Sequence, residues 1–442
     1  MAFSTFITLA CPPSAFRYIH TEHPHHQETA QPHSRCTLPH SAQAATGLAG
    51  PLPRVHASSR STNGPIHVSY PGFEFAIVGN WTGTLANAGV EVTPDAYGGE
   101  NYGAYIATNS INPANWTRSS RSGYIDPLPP RDNLAVLPNA TVTRIIFDSS
   151  NKDNLTATAV EWASSADAAR ETIKVRKEVI ISSGAMGSPR VLMRSGVGPS
   201  HVLQAAGVDV QVNLPGVGQH LQDHLSSGLV FQTNTDTAAS LYASNTTGNT
   251  PIFLSYVNLA VAYVNSTVVL GADGEATLKQ QIRIANALST SVSTLVPSSD
   301  HTVKAGYEAI YNTTLNTIFL SGVAQIEILY QLMDSGSNGT NVVAIQAGLQ
   351  HPFSHGRIYI TSNDPFVEPL IDLQYLAHSA DIAILHRTEL PATVYEDGRE
   401  YNQLAILNDD FTLDTNHSQK MEDAVRAVIR EHHCVDEVAT QY

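Results

Sequence analysis

The chain has 442 residues, 42% of them hydrophobic, with 24 Lys and Arg against 39 Asp and Glu and a net charge of -15. That length and apolar content suffice for one large or two medium domains. The acidic balance, with no basic stripe, argues against nucleic acid and anionic lipid as partners. Cys11, Cys36 and Cys434 sit at the two extremes and form no disulfide scaffold. No stretch of about 18 uncharged apolar residues occurs, so no transmembrane helix is expected. Asn-x-Ser/Thr sequons at Asn80, Asn115, Asn139, Asn154, Asn245, Asn265, Asn312, Asn338 and Asn416 point to a glycoprotein that is secreted or passes along the secretory pathway, with the cytoplasm as the alternative.

Residues 1–60 carry His20, His23, His25, His26, His33, His40 and His56 among Pro, Ser and Ala, without periodicity. Such composition buries too little apolar surface to order itself, so a disordered or non-homologous tract is expected rather than a metal-binding one. Residues 65–70 alternate as a strand and end at Pro71-Gly72. A helix follows within 74–92, closed at Asn87-Ala88-Gly89, with a short strand after it. The Gly- and Tyr-rich stretch 97–105 reads as loop, and 119–130 as loop or a short helix. Strands are expected at 134–137, 140–147, 157–163 and within 172–182, where 179–182 forms a core strand.

Gly184 follows that strand. Ser188-Pro189 starts a helix that Gly196 closes, 201–206 is a second short helix, and 208–212 is a strand. Further on, 251–270 reads as strand and 278–288 as helix. One or two helices span 301–330 and carry IEILYQLM near their end. Strands are expected at 341–349 and 356–362, and helices at 377–389 and 421–433.

Two motifs carry chemistry. Residues 184–199 read GAMGSPRVLMRSGVGP and 214–224 read LPGVGQHLQDH. A glycine directly after a strand lets a cofactor approach the backbone, because no Cβ intervenes. A helix opening there turns free N–H groups toward a phosphate or a ring edge. The first motif resembles the second signature of the glucose-methanol-choline (GMC) oxidoreductases through Gly184, Ala185, Ser188, Pro189, Leu192, Ser195, Gly196, Val197, Gly198 and Pro199. The second resembles that family's Leu-Pro-Gly-Val-Gly-x-Asn-Leu-Gln-Asp-His, with His220 in place of the usual Asn. Weaker likenesses lie at 64–71, 131–147 and 351–376.

The resemblance implies an α/β fold, α+β overall: an incomplete FAD-binding domain packed on an antiparallel-sheet substrate domain. It implies FAD held in part by Val142, Gly184, Ala185 and Ser188, and oxidation of the CH–OH group of a small-molecule alcohol. Hydride would go to the flavin, the hydroxyl proton to a histidine base, and the electrons on to oxygen or another acceptor. His432 and His433 are the candidate bases, although no His-Pro-x-Gly-Thr context surrounds them.

The family's Gly-x-Gly-x-x-Gly start is not found either. The chain is therefore expected to be shortened at both ends, with a non-catalytic GMC-like remnant as the alternative. The expected organisation is a tract at 1–60, substrate-domain and connecting segments at 61–130, part of the FAD-binding domain at 131–230, the substrate domain at 231–420, and a helix toward a closing segment at 421–442. Ser195 lies in no Gly-x-Ser-x-Gly elbow, which argues against a hydrolase. His351 and His355 are too few ligands for a metal, and no metal site is expected.

Overall fold

A computed structural model describes residues 66–385, apart from 100–101, 119–123, 126–130, 149, 151–154, 234–235, 259, 284, 297, 320 and 333–340, together with four short strands nearer the ends. The helix expected at 421–433 and most of the 1–60 tract lie outside the described residues.

The described part mixes helices with antiparallel sheets. In chain order, α1 is Trp81–Asn87 and β1 is Gly103–Ile106. A meander follows, β2 (Thr141–Asp148), β3 (Thr156–Ala163) and β4 (Glu171–Lys174). Next come α2 (Gly184–Arg194), β5 (Val197–Gly198), α3 (Ser200–Ala205), β6 (Val212–Asn213) and β7 (Gln219–Leu221). β8 (Ser226–Gln232), α4 (Ala238–Ser244), α5 (Pro251–Leu254) and β9 (Ala260–Val264) lead to α6 (Ser266–Arg283), α7 (Ala285–Leu295) and α8 (His301–Thr313). The last are β10 (Ile326–Gln331), β11 (Val342–Leu349), β12 (Gly356–Tyr359), β13 (Leu370–Asp372) and α9 (Ser379–Leu385).

The largest sheet has five antiparallel strands in the order β8-β11-β10-β9-β1. Alternation sorts its side chains onto two faces. Ala262, Ile326, Ile328, Tyr330, Val343 and Leu349 point into the main core, where Trp81, Phe253, Tyr307 and Tyr311 of the helices meet them. Trp81 also donates its indole N–H to the Val261 carbonyl (2.9 Å) and stacks on Tyr330. On the other face, Tyr105 and Val261 are covered by Ala96.

Several sequence expectations are corrected. Residues 97–105 are not all loop, because Gly103–Ile106 is the edge strand β1. Gly103 (φ +95) permits this, since a Cβ there would lie 2.5 Å from the Glu91 carbonyl oxygen. Residues 251–270 are not one strand. Thr250 caps α5 through the Phe253 N–H, and the Asn265 side chain accepts from Val268 N at the start of α6. IEILYQ is strand rather than helix, because its burial alternates with period two.

The strand expected at 179–182 joins no ladder among the described residues, although Val179 and Ile181 pack against the cluster around Ile145, Val160 and Val191. From 208–212 only Val212 is in strand, with Asn213, and β6 pairs in parallel with β5. The helix starts at Gly184 rather than at Ser188-Pro189, and Pro189 lies inside it. Gly184 turns the chain at φ +78, which brings the start four residues forward.

Three contacts seat α2 and the motif that follows it. Ser195 Oγ accepts from Ile145 N of β2 (2.8 Å) and donates to the Val191 carbonyl (2.6 Å). Arg190 and Arg194 both donate to the Val367 carbonyl, and Arg190 pairs with Glu368 (3.1 Å). Gly218 (φ +79) accepts from Ile358 N (2.8 Å), and a Cβ there would stand 2.1 Å from the Ile358 carbonyl oxygen. At Gly184, by contrast, a Cβ would meet nothing within 4 Å.

Two predictions follow from this packing. Gly184→Ala should cost about 1 kcal/mol, the strain of a left-handed backbone alone. Gly218→Ala adds a backbone overlap and should cost about 3 kcal/mol or more; equal losses in denaturant melts would contradict the packing. The second concerns Glu74, which accepts from Phe75 N (3.0 Å) while its Oε2 is buried without a partner. Burial raises its pKa from 4.5 to about 8, against the opposing Phe75 hydrogen bond. The folded chain then holds a proton that the unfolded chain releases, so Glu74 lowers stability progressively as pH rises from 4.5 to 8. The Tm advantage of Glu74→Gln over the parent should grow between pH 5 and pH 8; a constant difference would refute it.

Candidate functional site

The site is built around the start of α2. Ser183 precedes it with φ −87 and ψ 10, a geometry in which its hydroxyl makes no capping bond. Ser188 reaches back instead, its Oγ accepting from Ser183 N (3.2 Å). The first N–H groups of α2 therefore have no side-chain cap, and the positive end of an 11-residue helix is presented beside Gly184 and Ala185, both exposed. Ser183 itself is only 6% exposed, and its Oγ has no hydrogen-bond partner. An orphaned hydroxyl, an open glycine and uncapped N–H groups form a donor set suited to the phosphates or polar ring edge of FAD. The residues present fit that group.

Val142 lies in β2, half-buried, and joins the cluster that contains Val191 of α2. A register shift separates Val142 from Arg144. Of the sequence-derived site residues, Gly184, Ala185 and Ser188 thus share the first turns of one helix, and Val142 sits on the strand to which that helix is tied. His432 and His433 lie outside the described residues.

A second group surrounds the 214–224 motif. His220 has φ +58, a left-handed conformation that Asn and His tolerate better than most residues. This accounts for His at a position where the resembling family has Asn. Its ring lies edge-on to His355 (5.9 Å between centroids) and stacks with Tyr307. Gln222 Nε2 approaches His355 Nε2 (3.3 Å).

Burial, with the neighbouring His220 adding to it, pushes the His355 pKa down to about 4, and burial also lowers those of His220 and His351. These imidazoles are held neutral near pH 7. Asp223 Oδ1 accepts from His224 N (3.0 Å), and Tyr375 donates to Asp223 Oδ2. Sequence reading missed Ser183, whose only signal was its place before Gly184, and the contact between His220 and His355.

Residues 54–226 match the GMC oxidoreductase family. GMC oxidoreductase family protein Mala s 12 of Malassezia sympodialis is 39% identical over 84% of this chain and 56% of its own length. The chain thus spans about half the length of the relatives it matches. An FAD-dependent oxidoreductase from Chaetomium thermophilum superimposes with a TM-score of 0.68 at 23% identity, covering 81% of this chain and 62% of that one. A fungal aryl-alcohol oxidase does so with a TM-score of 0.63 at 26% identity, covering 78% and 60%. The 184–199 signature, the fold likeness to these solved enzymes and the matched domain agree: residues 54–226 carry a domain of the GMC oxidoreductases, a family whose cofactor is FAD.

Proposed function

We propose that the chain takes part in FAD-dependent oxidation of the CH–OH group of a small-molecule alcohol, and that Val142, Gly184, Ala185 and Ser188 form one wall of the flavin site. The observation that carries this reading is the uncapped start of α2 inside the 184–199 signature, with the Ser183 hydroxyl buried and unpartnered. FAD, when bound, supplies the acceptor for the hydride that leaves the alcohol carbon, with oxygen or another acceptor regenerating it.

The chain's own residues do the rest. The α2 N–H groups hold negative charge, and Gly184 allows contact without a side chain between. The hydroxyl proton needs a base that is neutral at working pH, and histidine suits it. His432 and His433 are the proposed bases. Passage along the secretory pathway is supported by exposed sequon positions at Asn80, Asn115, Asn139, Asn245 and Asn312. Among the described residues no helix is long and apolar enough to cross a membrane.

Titration of the full chain with FAD, followed by quenching of flavin fluorescence, tests the wall. Gly184→Val places a branched side chain in the open space and should weaken FAD binding at least about tenfold, with circular dichroism unchanged. Equal affinity of parent and variant would overturn the assignment. A parent chain that binds no FAD would be the non-catalytic relative instead.

A further inference from the structure

Tyr242 of α4 (59% exposed) and Leu254 of α5 (55%) are the most exposed large apolar side chains among the described residues, and Ile252 of α5 is exposed as well. Trp116 joins them from a tight hairpin in which Ile111 pairs with Arg118 and Asn112 with Thr117. Gly72 makes the contact possible, since a Cβ there would lie 2.9 Å from the Trp116 ring and 3.0 Å from Ile252 Cγ2. The indole and Ile252 therefore meet over one glycine, whose N–H donates to Ser255 Oγ at the end of α5 (2.7 Å). Trp116 is held at φ +59, a left-handed backbone unusual for a bulky residue, while its N–H bonds to the Asn112 carbonyl (2.7 Å). Apolar surface gathered in this way beside water favours association unless something covers it.

Two of the nine sequons border this surface. Asn115 is exposed and directly precedes Trp116. Its Oδ1 accepts from Thr117 N (3.1 Å) and from the Thr117 hydroxyl (2.7 Å), so the two residues that define the sequon are bonded to each other through the oxygen. Among the described residues its Nδ2, the atom to which a glycan is joined, makes no hydrogen bond. Asn245 is the exposed left-handed cap of α4 (φ +53), and its N–H donates to the Tyr242 carbonyl (3.2 Å). Asn265 differs from both, being half-buried with its side chain accepting from Val268 N at the start of α6.

We infer that Asn115 and Asn245 carry N-linked glycans that cover the apolar surface formed by Trp116, Tyr242, Ile252 and Leu254. The inference rests on the secretory reading above and goes beyond it by assigning two sequons and the surface they serve. The sugar donor is a lipid-pyrophosphate-linked oligosaccharide. Asn Nδ2 forms a bond to its anomeric carbon, the bond from that carbon to the phosphate oxygen breaks, the lipid pyrophosphate leaves and the amide gives up one proton, with no change of oxidation state. A glycan is bulky and solubilising, so one on each side keeps the surface from water and from other chains.

The test begins with the full chain purified from its source cells and mapped by peptide mass spectrometry before and after peptide N-glycosidase. Asn115 and Asn245 should both be converted to Asp by the enzyme. Trimming the glycans from the folded protein, with circular dichroism unchanged, should then raise binding of the apolar dye ANS about twofold or more, and sedimentation should show self-association. In a secreting yeast host, Asn115→Gln with Asn245→Gln should give the same gain, whereas Asn139→Gln, in the turn before β2, should give none. Adding Tyr242→Thr and Leu254→Gln to the double variant should abolish the gain, which a general loosening of the fold would not do. Glycans found at other sequons but not at these two would overturn the inference and leave the secretory reading standing. So would trimming that leaves dye binding unchanged, or a gain that survives Tyr242→Thr with Leu254→Gln. A source protein with no glycan at any sequon would contradict the secretory reading and overturn the inference with it.

Discussion

A buried carboxylate joins the two working halves of the fold. Asp381 of α9 is 1% exposed and accepts from two successive amides, Phe353 N (2.8 Å) and Ser354 N (2.9 Å). Those amides lie in the turn between β11, which belongs to the five-stranded sheet, and β12, which pairs with the 214–224 motif at β7. Tyr307 of α8 donates to the Phe353 carbonyl (3.1 Å), and the N–H of His378, just before α9, donates to Ser354 Oγ (2.9 Å), so two helices converge on one turn. A buried carboxylate without partners would be costly, and two N–H bonds offset part of that cost. Burial still prevails, raising the Asp381 pKa to about 6. The position of the sheet face relative to the motif segment depends on this anchor.

With the turn fixed, α2 becomes a docked element rather than a loose helix. Ser195 against Ile145 and Arg190 with Arg194 against Val367 hold it between β2 and the β12 region. Its free N-terminus is the consequence: both sides of the helix are occupied by protein, and the start remains uncapped beside an exposed glycine. A GMC oxidoreductase could place a flavin at such an end without moving the scaffold.

Much of this was legible in the sequence, for identifiable reasons. The glycines of 184–218 mark real turns and close approaches, so the motif translated directly into geometry. The meander at 141–174 and strand β11 followed from β-branched and apolar runs. The failures share a physical cause, since they occur where a partner decides the local state. Gly103–Ile106 becomes strand because β9 lies beside it, and Ile326–Gln331 because β9 and β10 match in register. Residues 179–182, with no strand partner among the described residues, stay out of a ladder despite strong strand propensity. Ser183 was invisible because its significance is the bond it lacks, and the meeting of His220 with His355 joins residues 135 positions apart.

The central claim is that the start of α2 is a preformed wall for FAD. Amide hydrogen exchange of the full chain with and without FAD tests it most directly. The account predicts added protection concentrated in peptides covering 183–190, with a smaller change around 142–145. Protection that is absent there, or that appears only elsewhere in the chain, would contradict it.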